Sequence, residues 1–87
     1  MTNLPKPHAH VIATAFDNGE GVLIDLQSKR YYQLNETGLF IWQKLEARHS
    51  TEQILTALVN EYEVTETQAQ ASLKRLMKVL LQHELVA

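Results

Sequence analysis

The sequence predicts an α+β fold in which a three-stranded antiparallel meander is followed by three helices, and three observations carry that reading. Two β-rich runs, HVIATAF and GVLIDL, flank DNGE, where Asn18-Gly19 is a strong hairpin signal because both central positions of a type I′ turn take positive φ. A third extended run, RYYQL, follows a polar turn at Gln27, Ser28 and Lys29. Beyond it, STEQ and TETQ each show the Ser/Thr-x-x-Gln spacing of a capping box and each opens an apolar run at helical period.

The strands come first. Residues 1–9, which hold both prolines, Pro5 and Pro7, and little apolar content, are expected to form a flexible arm ahead of a domain spanning 10–87. In the second strand Val22, Ile24 and Leu26 share one face and Leu23 and Asp25 the other, the alternation of a half-buried strand. In RYYQL, Tyr32 and Leu34 are expected to face the core while Tyr31 and Gln33 point away. Meander order makes this third strand an edge.

The helices follow at once. Asn35 can cap a helix beginning at Glu36, with Thr37 as an alternative cap, and Ile41, Trp42 and Leu45 then sit at helical spacing. Ser50 with Gln53 opens a second helix through Ile54, Leu55, Leu58, Val59 and Tyr62. Thr65 with Gln68 opens a third, expected over Glu66 to Gln82, after which ELVA folds back as a short extended tail. On this last helix Ala69, Leu73, Leu76 and Leu80 form a stripe about 60° wide, while Met77 and Leu81 widen it on one side and Val79 on the other to roughly 200°. That exceeds what one core contact needs. Lys74 and Lys78 border the Met77 and Leu81 side.

Composition narrows the class. At 87 residues, 45% hydrophobic and 21% charged, the chain fits one globular domain with a single core. Without cysteine it can hold no disulfide, thiolate metal site or cysteine nucleophile. MTNLPKPHAHV has no apolar h-region and no apolar stretch approaches about 18 residues, so neither export nor membrane spanning is expected and the expected location is the cytoplasm. A formal net charge of -2 weighs against phosphate neutralisation as the main task.

Catalytic chemistry finds little to use. His8 and His10 form an HxH pair without a third ligand pattern, and read as part of the exposed arm; His49 and His83 stand alone near helix ends, where His83 suits the helix dipole. Gly19, Gly21 and Gly38 are scattered between a hairpin, a strand and a helix start, so they make no phosphate loop. No Asp-Ser-Leu marks a phosphopantetheine carrier. Phe40, Trp42 and Tyr62 read as core, whereas Tyr31 is exposed on an edge strand and suits a binding surface equally well. Lys74, Arg75 and Lys78 read either as a solvated helix face or as a patch for an acidic partner or phosphate.

Taken in order, VLIDLQSKRYYQLNETGLFIWQKLE and STEQILTALVNEYEVTETQAQASLKRLMKVLLQHELV resemble the PqqD-like family, the precursor-peptide recognition elements of ribosomal peptide natural-product (RiPP) pathways. The resemblance covers about residues 11 to 86, and its most specific part is YYQLNETG leading into IW. It implies a winged-helix-like fold and non-catalytic binding of a precursor's leader segment, without cofactor or metal. A free-standing chain of this size looks most like the separate recognition proteins of lasso-peptide clusters, or the one of pyrroloquinoline quinone synthesis. Ser28-Lys29 departs from the glycine that many relatives carry in the second hairpin turn.

The resemblance also implies a site. The leader adds as a strand along Arg30, Tyr31, Tyr32, Gln33 and Leu34 and lies against the third helix, where Leu73, Met77 and Leu81 are expected to form the pocket and Lys74 and Lys78 to meet leader carboxylates. Its partners would be the leader and a maturation enzyme, either a leader peptidase or a radical-SAM enzyme, with a homodimer through the vacant edge when no leader is present. The competing readings are a winged-helix DNA-binding regulator, since a helix-turn-helix is topologically present, and a small toxin-antitoxin or scaffold subunit. Net charge and the surplus apolar flank argue against the DNA-binding reading.

Overall fold

The structure is a computed structural model and describes residues 4–87. Three strands, β1 (Val11–Ala15), β2 (Gly21–Asp25) and β3 (Arg30–Leu34), precede three helices, α1 (Glu36–Glu46), α2 (Thr51–Tyr62) and α3 (Glu66–Gln82). The strands form one antiparallel sheet in the order β1-β2-β3, which leaves β3 at an edge.

Local chemistry accounts for most boundaries. Asn35, not Thr37, caps α1: its side chain accepts the Gly38 N–H at 2.8 Å. Both expected capping boxes are formed, Ser50 with Gln53 and Thr65 with Gln68, each satisfying two orphan donors. The first hairpin differs from expectation. Gly19 donates to the Phe16 carbonyl at 3.2 Å and Phe16 to that of Glu20 at 2.7 Å, and of the loop residues Gly19 alone has positive φ, at 89°. This is a three-residue loop ending on a left-handed glycine, in place of a type I′ turn. The extra residue spares Asn18 the positive φ, and its carboxamide oxygen instead accepts the Glu20 N–H at 3.0 Å.

The second turn closes without a glycine. Lys29 takes φ 61°, and its N–H donates to the Asp25 carbonyl at 2.8 Å. Asp25 Oδ1 meanwhile accepts the N–H groups of Gln27 at 2.9 Å and Ser28 at 3.3 Å, so one buried carboxylate organises the turn.

Alternation alone leaves open which face of β2 is buried. Gly21, Leu23 and Asp25 face inward while Val22, Ile24 and Leu26 face out, Leu26 being half exposed. Space decides this against apolarity. A Cβ on Gly21 would lie 2.7 Å from the Thr14 carbonyl oxygen and 3.0 Å from a Leu39 methyl, so the face without a side chain there is the one that α1 can approach. Leu23 then sits opposite Tyr32, and Gly21 opposite Leu34, so β3 turns Tyr32 and Leu34 inward as expected.

Trp42, Ile41, Leu23, Ile54, Leu58, Leu80 and Leu85 are the large, fully buried residues of a single core between sheet and helices. Phe40 and Tyr62, expected in it, pack edge to face at its margin with centroids 5.3 Å apart. The termini close it from below. Lys6 and Ala87 exchange two backbone hydrogen bonds of 2.9 Å, His8 donates to the Leu85 carbonyl at 3.1 Å, and Leu85 donates back to Leu80 at 2.9 Å. Pro7, lacking an N–H, faces Val86 in an isolated bridge and leaves the donors to its neighbours. Of the arm expected at residues 1–9, the first three lie outside the described residues, and residues 6–8 form this clasp with the tail. Proline spacing suggested mobility; the partner strand lies 80 positions away and leaves no local signal.

A left-handed conformation costs an L-residue about 1–2 kcal/mol, less the extra chain entropy that glycine loses on folding. Lys29→Gly is therefore expected to stabilise the fold by about 0.5–1 kcal/mol in urea unfolding.

Candidate functional site

One turn of chain places the site. Leu34 ends β3, Asn35 caps α1, and α1 passes beneath the sheet, so nothing described here pairs with the outer edge of β3. Alternate backbone N–H and C=O groups along Arg30–Leu34 point away from β2. Beside that edge runs a groove of about 500 Å³ bounded by α3. Its floor is apolar: Leu23, Leu34, Ile41, Leu80 and Leu85. Tyr31, Tyr32 and Gln33 make the strand-side lip, with Asn35 and Thr37 at the end where α1 begins.

The helix wall is formed by Ser72, Arg75, Leu76 and Val79. The residues expected to form this wall lie elsewhere. Leu73 and Met77 are buried in the core, 5% and 8% exposed, and Lys74, Lys78 and Leu81 are exposed, so none of the five lines the groove. At about 100° per residue, Ser72, Arg75 and Val79 lie on one side of the core stripe and Met77, Leu81, Lys74 and Lys78 on the other. The surplus apolar width was visible in the sequence, but which flank meets β3 depends on how α3 crosses the sheet. Val79, which widens the apolar stripe on its other side in the sequence, is 41% exposed and lines the groove.

Arg30 belongs to a neighbouring space. At its end of β3 lies a polar pocket of about 700 Å³, lined also by His8, His10, Asp25, Tyr32 and His83. The His8 and His10 rings stack with centroids 4.9 Å apart, and His10 Nε2 stands 3.7 Å from Asp25 Oδ1. The His83 ring lies 4.8 Å from that of Tyr32. The HxH pair and His83, which the sequence sets far apart, are thus brought to one place. No group of three His, Asp or Glu among the described residues is arranged to hold a metal ion.

Burial acts to raise the Asp25 carboxyl pKa, but hydrogen bonds from Ser28 and Gln27, with the nearby His10, overcome it and hold the group below its ordinary value of 3.8. The second hairpin turn, and through it the start of β3, depends on this carboxylate.

Fold and groove define a small winged-helix-like α+β domain with the β3 edge left open beside a groove with an apolar floor. Among the described residues, no helix is long and apolar enough to cross a membrane. The family model described as Coenzyme PQQ synthesis protein D (PqqD) matches residues 20–86, and the chain belongs to this family. Two solved structures are similar over nearly the whole length. One, described as TbiB1 in complex with the TbiA(beta) leader peptide, is 31% identical over 93% of each chain with a TM-score of 0.84. The other, a lasso peptide synthetase B1 complexed with the leader peptide, is 29% identical over 94% of this chain and 95% of its own, with a TM-score of 0.82. No curated protein sequence matches the chain.

Because the folded-state pKa of Asp25 is depressed, its stabilisation is present above the unfolded value of 3.8 and is lost as pH falls through the lower folded value. Asp25→Asn is expected to flatten the fall in stability between about pH 5 and pH 2, as read by denaturant midpoints across that range.

Proposed function

We propose that this protein binds the leader segment of a ribosomally made precursor peptide by adding it as a fourth strand beside β3, over the groove bounded by α3, and presents it to a maturation enzyme. The observation that carries the reading is the open edge of β3 next to a groove with an apolar floor. Membership of the PqqD family, and two similar structures whose partners are leader peptides, support it. In this reading the protein is a non-catalytic recognition element of the lasso-peptide type acting in the cytoplasm. Its enzyme partner is then a leader peptidase, with a radical-SAM enzyme as the alternative.

Energetics fit the task. Each backbone hydrogen bond to the edge contributes about 0.5–1.5 kcal/mol and each anchored apolar side chain about 1.5–3. Less the cost of ordering a flexible peptide, a few of each give about -8 kcal/mol, or micromolar affinity. Arg30, Tyr31, Tyr32, Gln33 and Leu34 remain the proposed strand contacts, with Leu76 and Val79 taking over the anchoring role from Leu73, Met77 and Leu81. Arg75 replaces Lys74 and Lys78 as the cation facing the guest. The DNA-binding reading is disfavoured: Arg75 turns into the groove, away from the face that carries Lys74 and Lys78, and net charge is -2.

Calorimetric titration with the TbiA(beta) leader peptide should give micromolar binding, with amide shifts concentrated at residues 30–34 and along Ser72–Val79. Shifts confined to the β1 edge, or none, would sink the proposal. Val79→Asp should weaken this binding at least tenfold with an unchanged circular dichroism spectrum, whereas Leu81→Asp, similarly exposed on the opposite flank, should leave it unaltered.

The same edge is what a second copy would pair with. Any homodimer formed without peptide should therefore dissociate as peptide is added, which sedimentation velocity reads directly.

A further inference from the structure

The polar pocket at the Arg30 end of β3 serves no part of strand addition, yet it adjoins the groove. Tyr32 lines both, the one residue to do so. An extended chain rises about 3.3 Å per residue, so a peptide lying along the five residues of β3 and continuing by two or three more passes over this pocket. We propose that the pocket is a second, proton-dependent subsite that takes an acidic side chain of the guest peptide just outside the groove. The inference rests on strand addition at β3, which is what delivers the peptide there.

The charges facing the pocket come from every element around it. Arg30 begins β3, His8 and His10 precede β1, and His83 follows α3; the acids are Asp25, at the end of β2, and Glu84. Asp25 is spent on its own turn, since its Oδ1 accepts from Gln27 and Ser28 and stands 3.7 Å from His10. His8 and His83 are held by ring contacts, to His10 and to Tyr32, and among the described residues no carboxylate pairs with either. Their ring N–H groups remain for a guest.

Between pH 7.5 and 5.5 histidine is the side-chain type whose charge changes, whereas Asp25, held below its ordinary value, stays ionised. Acidification therefore adds positive charge to the pocket while the Asp25 carboxylate keeps its own. Stacked His8 and His10 would repel each other once protonated, and a carboxylate between them and His83 offsets that repulsion. An acidic residue in the guest is thus held more tightly at low pH, a basic one less tightly.

The probe is the TbiA(beta) leader peptide, used as it stands and extended by two glutamates or two lysines at either end, titrated at pH 5.5 and 7.5. At the end that reaches Arg30, glutamates should strengthen binding about fivefold on going from pH 7.5 to 5.5 and lysines should weaken it, with neither effect at the other end. His8→Gln with His10→Gln and His83→Gln should erase that dependence while leaving the unextended peptide bound as before, the fold being checked by circular dichroism. Equal affinities for all extended peptides at both pH values, with the unextended peptide still bound, would overturn the subsite and leave strand addition intact. Survival of the dependence in this triple variant would overturn the histidine assignment. Loss of binding for every peptide would overturn strand addition and the subsite with it.

Discussion

The molecule depends on a junction one residue long. Between Leu34, the last residue of β3, and Glu36, the first of α1, stands only Asn35, whose side chain accepts the Gly38 N–H at 2.8 Å and whose carbonyl accepts that of Leu39 at 2.9 Å. A strand that turns into a capped helix so abruptly cannot be followed by a further hairpin. The chain leaves the sheet, and β3 keeps an open side. Crowding at the junction fixes the geometry: a Cβ on Gly38 would lie 3.1 Å from the Asn35 side-chain oxygen and 3.4 Å from a Leu34 methyl. Helix α1 is thereby pressed against Leu34, and the groove inherits Leu34 and Ile41 as floor.

An open edge is hazardous to a small protein, because the groups that receive a guest also invite self-pairing. Here the edge is only five residues long, with a charged Arg30 at one end and the helix cap at the other. Beneath it the groove is closed by chain from both termini. Leu85, fully buried, forms part of the floor and is held by the clasp to Lys6 and His8. The terminal segments thus shape the groove without lying along it, and the polar pocket at the Arg30 end owes its His8 to the same clasp.

What the sequence disclosed follows from the range of the interactions concerned. Caps act over three residues, so Ser50-Gln53 and Thr65-Gln68 announced their helices, and α3 spans the expected Glu66–Gln82. Alternation in RYYQL put Leu34 inside and Tyr31 outside, where it is 72% exposed. Long-range packing was less legible. Choosing between the two faces of β2 required knowing that Leu39 would press on Gly21, and choosing between the two flanks of α3 required knowing its crossing over the sheet. His8, His10 and His83 meet only because the termini pair, and no window of sequence contains that event.

Edge pairing by itself is almost indifferent to sequence, since it engages only the guest's backbone. Selectivity therefore has to come from the side chains the guest turns toward α3, which recur every second residue, about 6.8 Å apart. The helix wall from Ser72 to Val79 covers seven steps of about 1.5 Å, or roughly 10 Å, room for about two such side chains. In the proposed binding mode Leu76 and Val79 favour apolar ones, and Arg75 beside them favours an acceptor. A wall this short reads few residues, so discrimination among similar peptides falls on whatever lies immediately beyond it. Past the Arg30 end lies a pocket of opposite character, polar and histidine-lined, reached by the same extended chain as it leaves the sheet. Two environments in series along one strand can distinguish peptides that a single apolar groove would bind alike.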